Sequence, residues 1–155
     1  MTRLIILLLT LLTSNVWASD IVKGSAGNIL KARVVSEFEN PWAMTFVNKE
    51  KLLVTTKAGK LWLVSASGEK ILVNGVPKVF AGGQGGLGDI VLHPNYTANK
   101  LVYISYVTSD NSGKTRYAVV IRGELELSDT PYLKNIETIF LGGRRRVRQT
   151  INLEF

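Results

Sequence analysis

Short apolar segments separated by turn residues are the feature that most constrains the fold of this chain. They are rich in Val, Ile, Leu and aromatic residues, and between residues 42 and 73 they recur every eight to twelve residues, as in antiparallel β-proteins. The first group covers residues 42–47, 52–56, 61–65 and 70–73, and the second covers 88–92, 101–107, 115–124 and 135–141. Because no sustained helical period appears after the first eighteen residues, the sequence predicts an all-β protein.

The two groups of strands have the spacing of a repeat. Their starts, near Trp42 and near Gly88, lie about 45 residues apart, which is the length of one four-stranded β-propeller blade. The sequence therefore predicts two antiparallel four-stranded blades over residues 30–141. A β-sandwich uses strands of the same length, and strand spacing alone does not distinguish it from a propeller.

The N-terminus has the three parts of a secretory signal peptide. Arg3 gives a positive start, residues 4–12 are almost unbroken aliphatic, and small residues precede a cleavage site after Ala18. The apolar run is short for a bilayer span, although an uncleaved anchor is the alternative. We expect the protein to be exported, to the periplasm in a Gram-negative host, and to have no transmembrane segment after cleavage. Residues 19–29 are expected to form a loose N-terminal segment.

Composition excludes several classes of function. The chain contains no cysteine, so disulfides, cysteine nucleophiles and thiolate metal sites are absent from it. The formal net charge is +7, and more than half of it comes from Arg3 and the arginine-rich last twelve residues. No basic stripe interleaved with aromatic residues appears between them, so the sequence does not predict a nucleic-acid partner.

A glycine-rich stretch, GGQGGLGDIVLHP over residues 82–94, carries the candidate site. Its glycines permit positive φ values and close approach to another surface. Gln84 is the polar side chain among them, and a strand follows. This arrangement suits the binding of a flat or polar ligand, while a tight connection between two strands is the alternative. It is not a phosphate-binding loop, because no Lys-Ser/Thr pair and no helix follow.

Three ordered segments resemble the glucose/sorbosone dehydrogenase family, the soluble quinoprotein aldose sugar dehydrogenases. They are residues 40–47 leading into 51–55, residues 59–64 followed by 75–79, and residues 83–87 continuing through 93–96 to 101–106. The likeness covers residues 28–140. It implies a six-bladed β-propeller that binds pyrroloquinoline quinone (PQQ) and calcium, oxidises the anomeric hydroxyl of an aldose sugar, and passes electrons to an acceptor. It also implies that residues 30–38 form the N-terminal strand that completes the last blade.

The resemblance assigns roles to particular residues. Gln84 matches the family glutamine that lines the quinone and sugar pocket, whereas His93 matches a turn away from the catalytic histidine. Thr56 stands where the family usually has a glutamate, with Lys57 after it, so any role of that glutamate is not carried over. By their chemistry Asp89, Asp110 and Asp129 are possible calcium ligands, but their spacing fits no calcium loop and predicts turn and rim residues instead. We therefore expect no catalytic residue and no metal ligand in this chain.

The sequence departs from the family pattern beyond Phe140. The family continues there into the segment with the catalytic histidine, whereas residues 142–155 form an aberrant basic tail with four arginines. This change predicts a shifted reading frame or a truncated gene, and a genuine short protein is the alternative. We expect an inactive N-terminal portion of an exported sugar dehydrogenase that does not hold PQQ and calcium stably. The alternatives are a non-catalytic exported β-domain that binds a sugar or a protein, and a binder of anionic surfaces through residues 144–148.

Overall fold

A computed structural model describes residues 19–110, 114–142 and 145–146. The described residues form two compact units, divided between Val34 and Val35. The predicted signal peptide and most of the predicted basic tail lie outside the described residues. Within the described ranges, no helix has the length and apolar character needed to cross a membrane.

The N-terminal unit is a β-hairpin. Strand β1 (Ser19–Lys23) pairs antiparallel with β2 (Ile29–Arg33), and the Gly24 N–H donates to the Asn28 carbonyl oxygen at 2.8 Å to close the turn. The structure thus differs from the loose segment predicted over 19–29. It also shows a strand shorter than the one predicted over 30–38. Ile21 and Val22 supply the β-branched residues that favour β1.

The first sheet of the main unit is a four-stranded antiparallel meander. It contains β3 (Pro41–Phe46), β4 (Lys51–Thr56), β5 (Leu61–Ser65) and β6 (Lys70–Leu72), in that spatial order. The Asn48 side-chain oxygen accepts the N–H groups of Glu50 and Lys51 at 2.8 and 2.9 Å and so fixes the first turn. These strands confirm the four predicted between residues 42 and 73.

The second sheet is also a meander of four consecutive strands. Strands β7 (Leu87–Leu92), β8 (Leu101–Asp110), β9 (Thr115–Glu126) and β10 (Tyr132–Leu141) lie side by side, and β11 (Arg145–Arg146) pairs with the start of β9. The four predicted strands are confirmed. Strand β10 begins earlier than predicted, because a register shift between Lys134 and Glu137 interrupts its alternation and Asn135 there has a positive φ of 51°.

One helical turn, α1 (Tyr96–Asn99), connects β7 to β8 where the sequence predicted only a turn at Pro94–Asn95. Lys100 ends it in the left-handed conformation and donates its backbone N–H to the Tyr96 carbonyl oxygen at 2.8 Å. Four residues are too few to show a helical period, which explains why the sequence pattern gave no sign of this turn.

The core of the main unit lies between the two sheets. Side chains that are at most 4% exposed meet there, among them Leu53, Leu61 and Leu63 from the first sheet and Leu87, Ile90, Ile104 and Ile121 from the second. Strands β3 and β4 contact β7, so the first strands of the two sheets are neighbours. Each sheet is built from consecutive strands, whereas a β-sandwich typically uses Greek-key connections. The packing is that of two successive blades, as the repeat predicted.

Candidate functional site

The glycine-rich loop, here residues 82–86, leads into β7 next to the first sheet. Gly83 and Gly86 have φ values of 57° and 151°, which side-chain-bearing residues rarely adopt. A Cβ atom placed on Gly86 would lie 2.4 Å from the Lys57 carbonyl oxygen. The loop therefore uses glycine both for its conformation and for close approach, as the sequence predicted.

Gln84 lies at the exposed tip of this loop. Within the described part of the chain, its side-chain amide makes no hydrogen bond. The amide can donate two hydrogen bonds and accept two. Because it ties the loop to none of the described groups, its hydrogen-bonding capacity is available to a ligand.

Two cationic side chains, Lys57 and Arg116, hold the loop, and the Gln84 side chain takes no part in this. The Lys57 ammonium donates to the Gly83 carbonyl oxygen at 2.6 Å, and the Leu87 N–H donates to the Lys57 carbonyl oxygen at 3.2 Å. From the second sheet, Arg116 donates to the Gly82 carbonyl oxygen at 3.4 Å and packs its guanidinium 4.6 Å from the centre of the Phe80 ring. The loop is thus fixed from both sheets.

A cavity of about 290 Å³ opens beside the loop. Its wall is mainly apolar and carries a few polar groups. The lining residues are Trp42, Lys57, Gln84, Gly85, Gly86, Leu87, Gly88, Asp89, Ser105, Tyr106, Val107, Ala118, Val119, Val120 and Phe140. An apolar wall with a few convergent polar groups is the usual composition of a small-molecule site. Flat aromatic side chains at Trp42, Tyr106 and Phe140 suit a planar ligand.

The polar groups of the cavity differ in charge and in the hydrogen bonds that they already make. Burial raises the pKa of the Tyr106 phenol above its ordinary value, so Tyr106 stays protonated at neutral pH. Asp89 is exposed, and its carboxylate accepts the Ile90 N–H at 2.9 Å. Lys57 brings a positive charge beside Gln84. The cavity can therefore offer a ligand neutral and cationic hydrogen-bond donors, together with the Asp89 carboxylate as an anionic acceptor.

His93 lies at the opposite end of β7 from the glycine-rich loop. Strand β7 has six residues, which separates the two by about 20 Å. The His93 Nδ1 atom accepts the Asn95 N–H at 2.9 Å and lies 2.9 Å from the Asn99 side-chain nitrogen. The ring also stacks on Tyr103, with centroids 6.1 Å apart. These contacts place the histidine in the turn after β7, the position that the family resemblance implied.

The three aspartates considered as calcium ligands do not come together. Asp89 lines the cavity, Asp110 accepts the Tyr117 hydroxyl at 2.7 Å in the second sheet, and Asp129 lies exposed in the turn before β10. Among the described residues, no three His, Cys, Asp or Glu side chains are grouped so that they could hold a metal ion.

Sequence reasoning missed the residues that hold the loop. In the sequence, Lys57 stands out only as the neighbour of Thr56, and nothing there distinguishes Arg116. Thr56 is buried, and its hydroxyl donates to the Lys60 carbonyl oxygen at 3.3 Å. Lys57 contacts the loop across 26 positions of sequence and Arg116 across 34. No local sequence pattern predicts such long-range contacts. Lys57 directly follows a predicted strand, but this position alone does not predict its contact with the loop.

The family model for glucose/sorbosone dehydrogenases matches residues 38–150 of this chain. The match begins later than the likeness expected from the sequence and continues past Phe140 into the arginine-rich segment. Aldose sugar dehydrogenase YliI of Escherichia coli K12 is 35% identical over 86 residues, which cover 54% of this chain and 23% of that protein.

Solved structures show the same fold. A crystal structure of a glucose dehydrogenase superposes with a TM-score of 0.61 at 32% identity, covering 66% of this chain and 30% of that one. The PQQ-bound form of an aldose sugar dehydrogenase from Streptomyces coelicolor gives a TM-score of 0.62 at 26% identity, covering 71% and 33%. The chain thus spans about a quarter to a third of the length of these relatives.

The two sheets of the main unit are successive blades of a β-propeller, the fold of these structural relatives. The family model covers well over half of the sequence and includes both sheets and the glycine-rich loop. This protein belongs to the glucose/sorbosone dehydrogenase family.

Proposed function

We propose that this chain supplies one wall of the active-site pocket of an aldose sugar dehydrogenase that uses PQQ. In this proposal Gln84 contacts the quinone or the sugar. The observation that carries it is the Gln84 amide, which has no hydrogen bond within the described residues and lies on a loop held by other groups at the edge of an apolar cavity. An amide suits the task because it can donate to a quinone or carboxylate oxygen and accept from a sugar hydroxyl.

The residues around the cavity fit a planar quinone that carries carboxylates. Trp42 and Phe140 offer flat apolar surface, and Gln84 and Lys57 offer donors to its oxygens. Bound PQQ would supply the redox chemistry by taking two electrons from the anomeric carbon of the sugar. The part of this chain is to bind and orient: Gln84 holds an oxygen atom, Lys57 balances negative charge, and the apolar wall excludes water.

We propose that the chain alone holds PQQ weakly, because small-molecule sites normally bury most of their ligand and the cavity described here presents an open wall. The calcium that the family resemblance implies is not assigned to any residue of this chain. We also propose that the chain alone does not turn over sugar. A general base must come within hydrogen-bond reach of the reacting hydroxyl. The only histidine of the sequence is engaged in a turn at the far end of β7.

Nuclear magnetic resonance (NMR) titration of the isotopically labelled chain with PQQ tests the binding proposal. We expect the largest shifts at the Gln84 side chain, the amides of Gly85 and Leu87, and the Trp42 indole N–H. The amides of His93 and Asn99 serve as an internal reference at the far end of the sheet. Shifts confined to that end, or none at millimolar PQQ, would contradict the proposal. In the same sample, calcium, glucose and an artificial electron acceptor should give no turnover above a protein-free blank, and turnover would show that the chain is active.

We further propose that the protein is exported and that its leader is removed after Ala18. The support is the charged start, the apolar run and the small residues before the cleavage site. Mass spectrometry of the protein secreted by a Gram-negative host should give a mature N-terminus at Ser19. A cell-associated protein that keeps its leader would contradict this.

A further inference from the structure

We infer that Lys57 is a positioning residue for Gln84, because its ammonium fixes the peptide plane from which Gln84 extends. The inference rests on the proposed function, in which Gln84 contacts the ligand. It concerns a different property, the direction and rigidity of Gln84, and this property can be measured without any ligand.

The backbone of Lys57 is held on both sides. Lys57 directly follows β4, and its N–H donates to the Asn40 carbonyl oxygen at 3.0 Å. Its own carbonyl oxygen accepts the Leu87 N–H at 3.2 Å, which attaches the end of the glycine-rich loop to the first sheet. The lysine side chain therefore starts from a fixed point.

The Lys57 ammonium acts on the peptide group that joins Gly83 to Gln84. It donates to the Gly83 carbonyl oxygen at 2.6 Å, a short bond strengthened by its charge. The Gly83 C=O and the Gln84 N–H belong to one rigid plane. Gly83 has no Cβ and can rotate this plane at little cost. A bond to its carbonyl oxygen therefore sets the direction in which the Gln84 side chain leaves the backbone.

The stem of Lys57 contacts the loop on the other side of Gln84. A Cβ on Gly86 would lie 2.8 Å from the Lys57 Cγ atom, so the stem passes directly against this glycine. Lys57 thus brackets Gln84 between its contacts with Gly83 and Gly86. Arg116 does not replace it, because Arg116 donates to the Gly82 carbonyl oxygen, which belongs to the preceding peptide plane.

The test uses the full-length chain labelled with ¹⁵N and three variants. Lys57→Met keeps most of the stem and removes the ammonium, whereas Lys57→Arg keeps a cationic donor. Lys49→Met is the matched control, since Lys49 is an exposed turn lysine whose side chain makes no hydrogen bond or ion pair with the described residues. We expect the order parameter of the Gln84 backbone N–H to fall from about 0.85 to below about 0.6 in Lys57→Met. It should stay in the rigid range in Lys57→Arg and in Lys49→Met.

Two outcomes would overturn the inference. One is an unchanged Gln84 order parameter in Lys57→Met with a lowered thermal midpoint, which would give Lys57 a purely structural role. The other is an order parameter below about 0.6 in Lys57→Arg, which also decides the matter if Lys57→Met does not fold. Failure of the proposed function is a separate result: the unmodified chain would show no shifts with PQQ, while the order parameters would still report on Lys57.

Discussion

At the scale of single residues, the groups that hold the glycine-rich loop are distinct from the side chain that we propose to contact a ligand. Lys57 and Arg116 hold the loop by donating hydrogen bonds to its backbone carbonyl oxygens, and the Gln84 side-chain amide takes no part in these bonds. A side chain that takes no part in holding its own loop can be removed at little cost to stability. This division is why substitutions here distinguish ligand contacts from structural contacts.

Thr55 is the residue whose hydroxyl joins the two sheets. It is fully buried, donates to the Gly88 carbonyl oxygen at 2.8 Å and accepts the Ala43 N–H at 3.0 Å. Thr55→Val keeps the shape of the side chain but removes the hydroxyl, so the Gly88 carbonyl oxygen and the Ala43 N–H each lose this partner. We therefore expect the free energy of unfolding to fall by about 1–3 kcal/mol. Urea denaturation followed by tryptophan fluorescence measures it.

Thr45→Val is the matched control for that prediction. Thr45 lies on neighbouring β3, and its hydroxyl makes no hydrogen bond with the residues that the structure describes. We expect its free energy of unfolding to change by less than about 0.5 kcal/mol. Equal stability of Thr55→Val and the unmodified chain would show that the hydroxyl contributes nothing to sheet packing.

At the scale of elements, the sequence pattern predicts what is local and periodic. The eight strands of the two blades were predictable because their alternation and their turn residues lie within a few positions of one another. Helix α1 and the irregularity at Asn135 were not, since one is a single turn and the other breaks the alternation of β10. The family pattern predicts a site role for Gln84, which stays a prediction, whereas the contacts of Lys57 on both sides of Gln84 depend on how the first sheet packs beside β7.

At the scale of the whole molecule, the described blades share one core and present one open wall. The residues of that core are nearly fully buried, while Phe140 and Trp42, both beside the cavity, remain 54% and 53% exposed. A wall of this kind can contact a planar ligand on one side only. Because of this geometry, we expect the chain alone to bind PQQ weakly.

The central claim is that Gln84 contacts a ligand, and the Gln84→Ala variant tests it directly. Loss of one hydrogen bond costs about 0.5–1.5 kcal/mol, so apparent PQQ affinity in the NMR titration should fall roughly three- to tenfold. The thermal midpoint without ligand should stay nearly unchanged. Asn74→Ala, which removes an exposed amide away from the cavity, is the control and should leave affinity unchanged. Unchanged affinity together with a lowered midpoint in Gln84→Ala would contradict the claim.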